Sequence, residues 1–241
     1  MLAPPVSWTL ERNDRRLVFA ADDRVALFAE TGPHEVTRHV HPVWKLVLPL
    51  GGLAEVGVAG RPPLIAPGVL VPPRLAHTCA ASSSYVALFV NPWLLPGNPG
   101  VTPVDARRVR RLLDALGPEG SPPDLAAARA ELAAFTGGGR DLDPRVAYAL
   151  RECARPGPLD TIAADVGLSP VRLRALVRAS AGVPLAGFRK WVRLREAVAE
   201  LPHGTVARAA STAGFADQAH LTRTARALVG RTPSSLRSTG A

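Results

Sequence analysis

One unit is written twice in this chain, and nothing else in it constrains the fold so strongly. Between Leu159 and Arg237, Ile162-Ala163, three residues and Gly167-Leu168 are followed by Leu173, Gly182 and Phe188. Ala209-Ala210, three residues and Gly214-Phe215 are followed by Leu221, Gly230 and Leu236. From Ile162 to Ala209 the offset is 47; from Leu173 to Leu221 it is 48, so the second turn carries one extra residue. A repeat of this length is a repeated supersecondary unit.

Each copy spells a helix, a tight turn and a second helix. Leu159, Ile162, Ala163 and Val166 stand at i, i+3, i+4 and i+7, one helix face. Gly167 ends that helix, because glycine takes positive φ at little cost. Ser169-Pro170 restarts one: the hydroxyl can accept an orphan N–H, and proline at the first position gives up no needed donor. In the second copy Gly214 ends the first helix and Asp217 caps the next, its charge suited to the positive end of the helix dipole. Two short helices joined by a glycine turn are the helix-turn-helix unit, whose second helix enters the DNA major groove.

On helical wheels, Leu173, Leu176 and Val177 share one face of the first reader helix. Val171, Arg172, Arg174, Ala175 and Arg178 lie on its flanks and back. In the second, Leu221, Ala225 and Leu228 face in, while Ala219, His220, Thr222, Arg223 and Arg226 face out beside Gln218. Arginine can read guanine O6/N7 with two bonds or hold a phosphate. Either helix alone would pass as a solvated basic face; two copies with arginine outward point to double-stranded DNA.

Gly214-Phe-Ala-Asp-Gln-Ala-His-Leu-Thr-Arg-Thr224 and Gly230-Arg-Thr-Pro-Ser-Ser-Leu-Arg237 resemble the signature of the AraC/XylS family of bacterial transcription regulators. So does Arg193-Leu194…Ala197 between the copies. The likeness covers roughly the last hundred residues. It implies a seven-helix domain with two helix-turn-helix units joined by one long helix, and RNA polymerase as a partner if the chain is an activator. Val177 and Ala225 stand where this family usually has phenylalanine, Ala175 where arginine is common, and Leu236 where tyrosine is common.

Charge placement agrees. Net charge is +9, and from Asp143 onward 15 Lys/Arg against 7 Asp/Glu leave +8. The basicity sits almost wholly with the repeat, as expected of a polyanion binder. Cys79 and Cys153 lie in different segments and make no disulfide framework, which suits a reducing cytosol. Met1–Pro5 has no basic start before an apolar core, and no run of about 18 apolar residues occurs. The expectation is a cytoplasmic protein, on the nucleoid when bound, with no membrane partner.

Residues 15 to 95 read as short strands rich in β-branched and aromatic residues: Leu17–Ala20, Arg24–Ala29, Glu35–His41, Trp44–Leu48 and Tyr85–Val90. Glycines and prolines punctuate them every few residues. This predicts a small sandwich or jelly-roll barrel, similar to the cupin-like sensor half that often precedes the DNA-binding domain named above. Val104–Leu116 and Asp124–Phe135 read as two helices. In a compact monomer they cover the barrel; in related regulators such helices pair two subunits, and a homodimer is the reading taken here. Thr136–Arg140 reads as a flexible hinge. Leu185–Leu201 reads as the long connecting helix, with Phe188, Trp191, Leu194, Val198 and Leu201 as core.

His39, His41 and His77 are the one group that suggests metal chemistry. His-x-His on a strand followed by a distant histidine resembles the cupin metal pattern. That pattern wants a glutamate shortly after the pair; Lys45 stands there, and no asparagine follows His77 at the usual place. Three imidazoles could still hold Zn²⁺ or Fe²⁺, yet the cation favours a small-effector pocket with His39, His41, Lys45 and His77 as its polar groups. Neither metal nor cofactor is expected. No glycine-rich phosphate loop, paired-carboxylate site or nucleophile elbow occurs.

The sequence therefore predicts an α+β chain. Residues 1–100 form a cupin-like β-barrel or jelly-roll sensor, 101–142 a helical linker, and 143–241 an all-α DNA-binding domain with two helix-turn-helix units. The function expected is sequence-specific transcription regulation, by activation or repression, under a small-molecule effector. The alternative is a cupin-type metal-dependent enzyme with a helical appendage.

Overall fold

The computed structural model describes residues 6–12, 14–97 and 100–236, so the segment Met1–Pro5 and Arg237 of the second copy lie outside the described residues. The strands are β1 (Val6–Arg12), β2 (Arg15–Ala21), β3 (Val25–Glu30), β4 (His34–His39), β5 (Trp44–Pro49) and β6 (Ala54–Gly57). They continue with β7 (Leu64–Ala66), β8 (Gly68–Val71), β9 (His77–Ala81), β10 (Tyr85–Val90) and β11 (Thr102–Val104). A seven-stranded sheet in the order β1-β2-β3-β10-β5-β8-β11 faces a four-stranded sheet in the order β4-β9-β6-β7. Val47, Val69, Val71 and Ala87 of the first meet Val36, Val56 and Ala81 of the second in one buried cluster.

β5 is buried at every position, because both faces of its sheet are covered. Leu46 and Leu48 alternate with Val47 and point to a second cluster outside the sandwich. That cluster is closed by α1 (Ala106–Ala115) and α2 (Leu125–Thr136) through Val109, Leu112, Leu125, Ala128 and Leu132. Asp105 and Asp124 cap the two helices, each accepting from the backbone N–H three residues on, as a short acidic N-cap does. Both helices thus lay their apolar sides on their own sheet. The strand β11 falls just inside the stretch read as helical linker and pairs with β8.

The glycine stretch after α2 is pinned at one point. A Cβ on Gly139 would lie 2.1 Å from the Trp93 carbonyl oxygen, and Arg140 N–H donates to that oxygen at 3.0 Å. Only glycine allows so close an approach.

Seven helices follow among the described residues: α3 (Pro144–Glu152), α4 (Leu159–Asp165), α5 (Pro170–Ala181), α6 (Leu185–Glu200), α7 (Val206–Thr212), α8 (Gln218–Val229) and α9 (Pro233–Leu236). Val146, Ala149, Leu150 and Cys153 of the α3 segment are buried, as are Phe188, Trp191, Leu194 and Val198 of α6. Val177, Ala225 and Leu236, three of the four departures from the pattern noted above, are buried too, while Ala175 is exposed, so smaller apolar groups fill those core positions.

Candidate nucleic-acid interface and adjoining cavity

The two turns are built alike. Leu168 N–H donates to Ala163 O at 2.9 Å, and Phe215 N–H to Ala210 O at 2.9 Å. Gly167 (φ +65°) and Gly214 (φ +71°) take the left-handed turn position. The second turn holds Ala213 to Asp217 between its helices and the first only Val166 to Ser169, which is the extra residue. Ser169 accepts from Arg172 N–H at 3.3 Å and Asp217 from His220 N–H at 2.6 Å. Gly182 and Gly230, both at φ +73°, close the reader helices α5 and α8.

Val171, Arg172, Arg174, Ala175 and Arg178 are exposed on α5, and Gln218, Ala219, Arg223 and Arg226 on α8. His220 and Thr222 are half-buried. His220 rests edge-on against Phe215 at 5.2 Å and its Nδ1 accepts from Ala216 N–H at 3.5 Å, so it shapes the turn. Thr224, which the wheel left out, is buried beside Ala225. Arg174 pairs with Asp160 on α4 at 2.5 Å. Val171 is 73% exposed, an apolar side chain offered to solvent at the start of α5.

The second unit is fastened to the sandwich. Gly230 O accepts from Thr37 N–H at 3.3 Å and from Thr37 Oγ1 at 2.9 Å; Ala227 O accepts from Val40 N–H at 2.9 Å. Arg231, just past α8, reaches Glu30 at 2.7 Å with both side chains nearly fully buried. Glu30 also pairs with Arg15 and accepts from Tyr85 OH at 3.1 Å. α6 adds a third tie: Trp8 Nε1–H donates to Val198 O at 3.2 Å, and Trp191 tilts against Phe89 at 5.0 Å.

A cavity of about 80 Å³ lies where these ties meet. Its wall comes from the sandwich (Phe19, Phe28, Val47, Phe89) and from the helical region (Trp191, Leu194, Val229). Its polar groups are His34, Lys45, Tyr85, Arg195 and Arg231. Of the four residues expected to line an effector pocket, Lys45 is among these wall residues, while His39, His41 and His77 group beside it. Sequence reasoning missed Arg231, Tyr85 and His34, although Arg231 falls inside the motif Gly230–Arg237. The Trp191 Nε1–H is buried and has no hydrogen-bond partner among the described residues.

Electrostatics divide the polar groups. Arg231 shares the Glu30 carboxylate with Arg15. Lys45 is buried, has no carboxylate partner among the described residues, and donates to His39 Nε2 at 3.4 Å. Burial pushes its pKa down, since an ammonium loses hydration there. Burial, then nearby cations, also depresses the histidines: His39 to about 3, His34 and His77 to about 4, and His41 well below the usual value. At neutral pH they are uncharged. Each cluster ring gives its Nδ1–H to a backbone carbonyl: His39 to Thr37 at 2.7 Å, His41 to Val43 at 2.7 Å and His77 to Leu75 at 2.9 Å.

A family model described as a helix-turn-helix domain matches residues 162–239. No curated protein matches the chain. Among solved structures the chain is similar to ToxT from Vibrio cholerae at 11% identity and TM-score 0.57, over 90% of this chain and 98% of that one. It is similar to ToxT with unsaturated fatty acid bound at 13% identity and TM-score 0.52, over 88% and 92%. It is also similar to ToxT bound to (E)-4-(8-methylnaphthalen-1-yl)but-3-enoic acid at 10% identity and TM-score 0.55, over 89% and 98%. At these identities the likeness is one of fold. No helix among the described residues is long and apolar enough to cross a membrane. With a duplicated, N-capped, arginine-bearing unit and the matching model over residues 162–239, the chain carries a helix-turn-helix domain and is a DNA-binding transcription regulator.

Proposed function

We propose that this regulator binds double-stranded DNA through both reader helices and is controlled by a small amphipathic acid in the cavity. In this reading residues 1–100 sense, 101–142 link and 143–241 bind DNA. The observation that carries it is the pair of like-built units whose exposed faces hold Arg172, Arg174, Arg178, Arg223 and Arg226. Arg174, Arg223 and Thr222 read bases, while Arg172, Arg178 and Arg226 hold phosphates.

The acid is supported by the cavity's chemistry. Its wall is apolar, it draws on both halves of the chain, and Lys45 is a buried cation without a carboxylate partner among the described residues. An acid head group would supply that partner, and the neighbouring Trp191 Nε1–H would find an acceptor. The fatty-acid-bound and butenoic-acid-bound ToxT structures show ligands of this class on a similar fold. We read the sandwich as a sensor rather than an enzyme, in the cytoplasm. Contact with RNA polymerase follows if the regulator activates. Pairing of two copies would use surfaces other than the apolar sides of α1 and α2, which this chain's own sheet takes up.

The test is a duplex-DNA titration of the full chain. Log K falls linearly with log salt, with a slope of about −0.9 per phosphate neutralised. A short apolar carboxylic acid shifts the affinity, and Lys45→Met removes that shift without altering the salt slope. A chain that binds no duplex, or binds without salt dependence, refutes the DNA reading. An acid response that survives Lys45→Met refutes the assigned anchor.

A further inference from the structure

The outer face of the seven-stranded sheet is covered only in part. Under α1 and α2, Leu46, Leu48 and Leu88 are buried in the outer cluster. Toward β1 the cover stops, and Ser7 and Thr9 are exposed. Thr9 and Val18 are cross-strand partners, as are Trp8 and Phe19, whose rings stack at 5.6 Å. Side chains alternate along a strand, so Thr9 and Val18 stand on the outer face. A second cavity, of about 510 Å³, opens there. Thr9, Val18, Ala29 and Val86 form its floor, and Leu116 with the strap of residues 117–123 forms its other wall. The strap is closed at its base, where Asp124 N–H donates to Leu116 O at 3.0 Å. Arg16 Nη1–H holds it to the sheet by donating to Glu119 Oε1 at 2.8 Å. Glu119 is 86% exposed, and so exposed a pair contributes little; the strap can lift to admit a ligand.

Charge separates this cleft from the cavity that holds Lys45. Every charged side chain lining the cleft has an opposite partner: Arg16 has Glu119, and Glu30 has Arg15 and Arg231. A charged ligand would add an uncompensated charge beside apolar walls, which is costly. One donor is left over. The Arg16 Nε–H is shielded from solvent and has no hydrogen-bond partner among the described residues. Glu11 Oε1 stands 3.6 Å from it, too far for a hydrogen bond. We propose that the cleft binds an uncharged, largely apolar small molecule whose carbonyl oxygen accepts from Arg16 Nε–H. The volume lies within the range of small-molecule sites, about 300–1,000 Å³. Such a ligand bears on the DNA-binding half through β1, because Trp8 Nε1–H donates to Val198 O of α6 at 3.2 Å.

The test titrates the full chain with prodan, an uncharged naphthalene ketone whose emission moves to the blue when it leaves water. No DNA is present, so the outcome is independent of the DNA reading. One equivalent binds, and amide exchange slows in residues 7–11, 116–121 and 197–201. Arg16→Met keeps the stem, removes the donor and weakens binding by about tenfold. Thr9→Trp, at an exposed position, fills the cleft and weakens binding by about tenfold or more. The tryptophan variant keeps the test open if Arg16→Met fails to fold. An anilinonaphthalene sulfonate, similar in its apolar body but anionic, leaves exchange in residues 7–11 and 116–121 unchanged. Dye affinity unchanged in either variant, or unchanged exchange in residues 7–11 and 116–121, overturns the site. Slowing confined to residues 36–40 and 227–231 puts the dye beside Lys45 and overturns it too. Equal protection by the sulfonate overturns the uncharged class. Unchanged exchange in residues 197–201 overturns the link to α6.

Discussion

The first reader helix ends at Gly182, where an added Cβ would meet nothing within 4 Å; the second ends at Gly230, where it would strike Thr37 O and His39 Nδ1. The first unit's arginine, Arg174, pairs across an exposed surface with Asp160 of its own unit; Arg231, just past the second, pairs in the interior with Glu30 of the sandwich. Two copies of one plan have thus been given different neighbours. The difference teaches where control can act: a change in the sandwich would reach α8 through β4 and Glu30, while α5 lies away from those ties and meets the Pro92–Leu94 turn.

The ion pairs break this comparison most strongly. Glu30→Ala leaves Arg231 and Arg15 facing no carboxylate in or near the interior and should cost about 3–5 kcal/mol. Asp160→Ala removes an exposed pair and should cost less than about 1 kcal/mol. Urea unfolding of both variants checks this; equal losses would mean that the second unit is not anchored as described.

Next come the two glycines at φ +73°. Alanine at Gly182 should cost about 1–2 kcal/mol, the left-handed penalty alone. Alanine at Gly230 adds a collision with the Thr37 backbone and should cost at least about 2 kcal/mol more. It should also expose the Thr37 and Val40 amides to exchange, which the Gly182 variant should not do.

Acid sharpens the contrast by a smaller step. The folded pKa values of His39 and His77, about 3 and about 4, lie below the unfolded value near 6.5. The unfolded chain therefore binds more protons below pH 6.5, and stability falls as pH drops from there toward 4. Each histidine contributes at most about 1.4 kcal/mol per pH unit. No histidine lies in residues 144–182, so the second unit should lose protection before the first. Stability constant from pH 7 to 5 would show that these rings are not buried neutral.

The helix-turn-helix units were legible because their signals are local. Apolar spacing, a glycine and a capping residue recur at a fixed offset, and α5 and α8 start and end where Ser169-Pro170, Asp217, Gly182 and Gly230 place them. The strands were legible as runs, but β1 was passed over although Val6, Trp8 and Leu10 alternate with polar residues and Asp14 sits at φ +59° in the turn that follows. The histidines were legible as a set, since His39 ends β4 and His41 follows two residues on. The direction of their Nε2 atoms was not, because it depends on the carbonyls of Thr37, Val43 and Leu75. The cavity's far wall was the least legible. Arg231 lies 201 residues from Glu30, and nothing local in either segment marks the other as its partner.

The claim that two units read DNA is tested most directly by selecting binding sites from a random duplex pool with the full chain, Arg174→Ala and Arg223→Ala. The account predicts a two-part site. Arg174→Ala relaxes one part and Arg223→Ala the other, each costing about 1–3 kcal/mol as lost base contacts do. If Arg174→Ala leaves both the selected sequence and the affinity unchanged, the first unit is a scaffold and the account is contradicted.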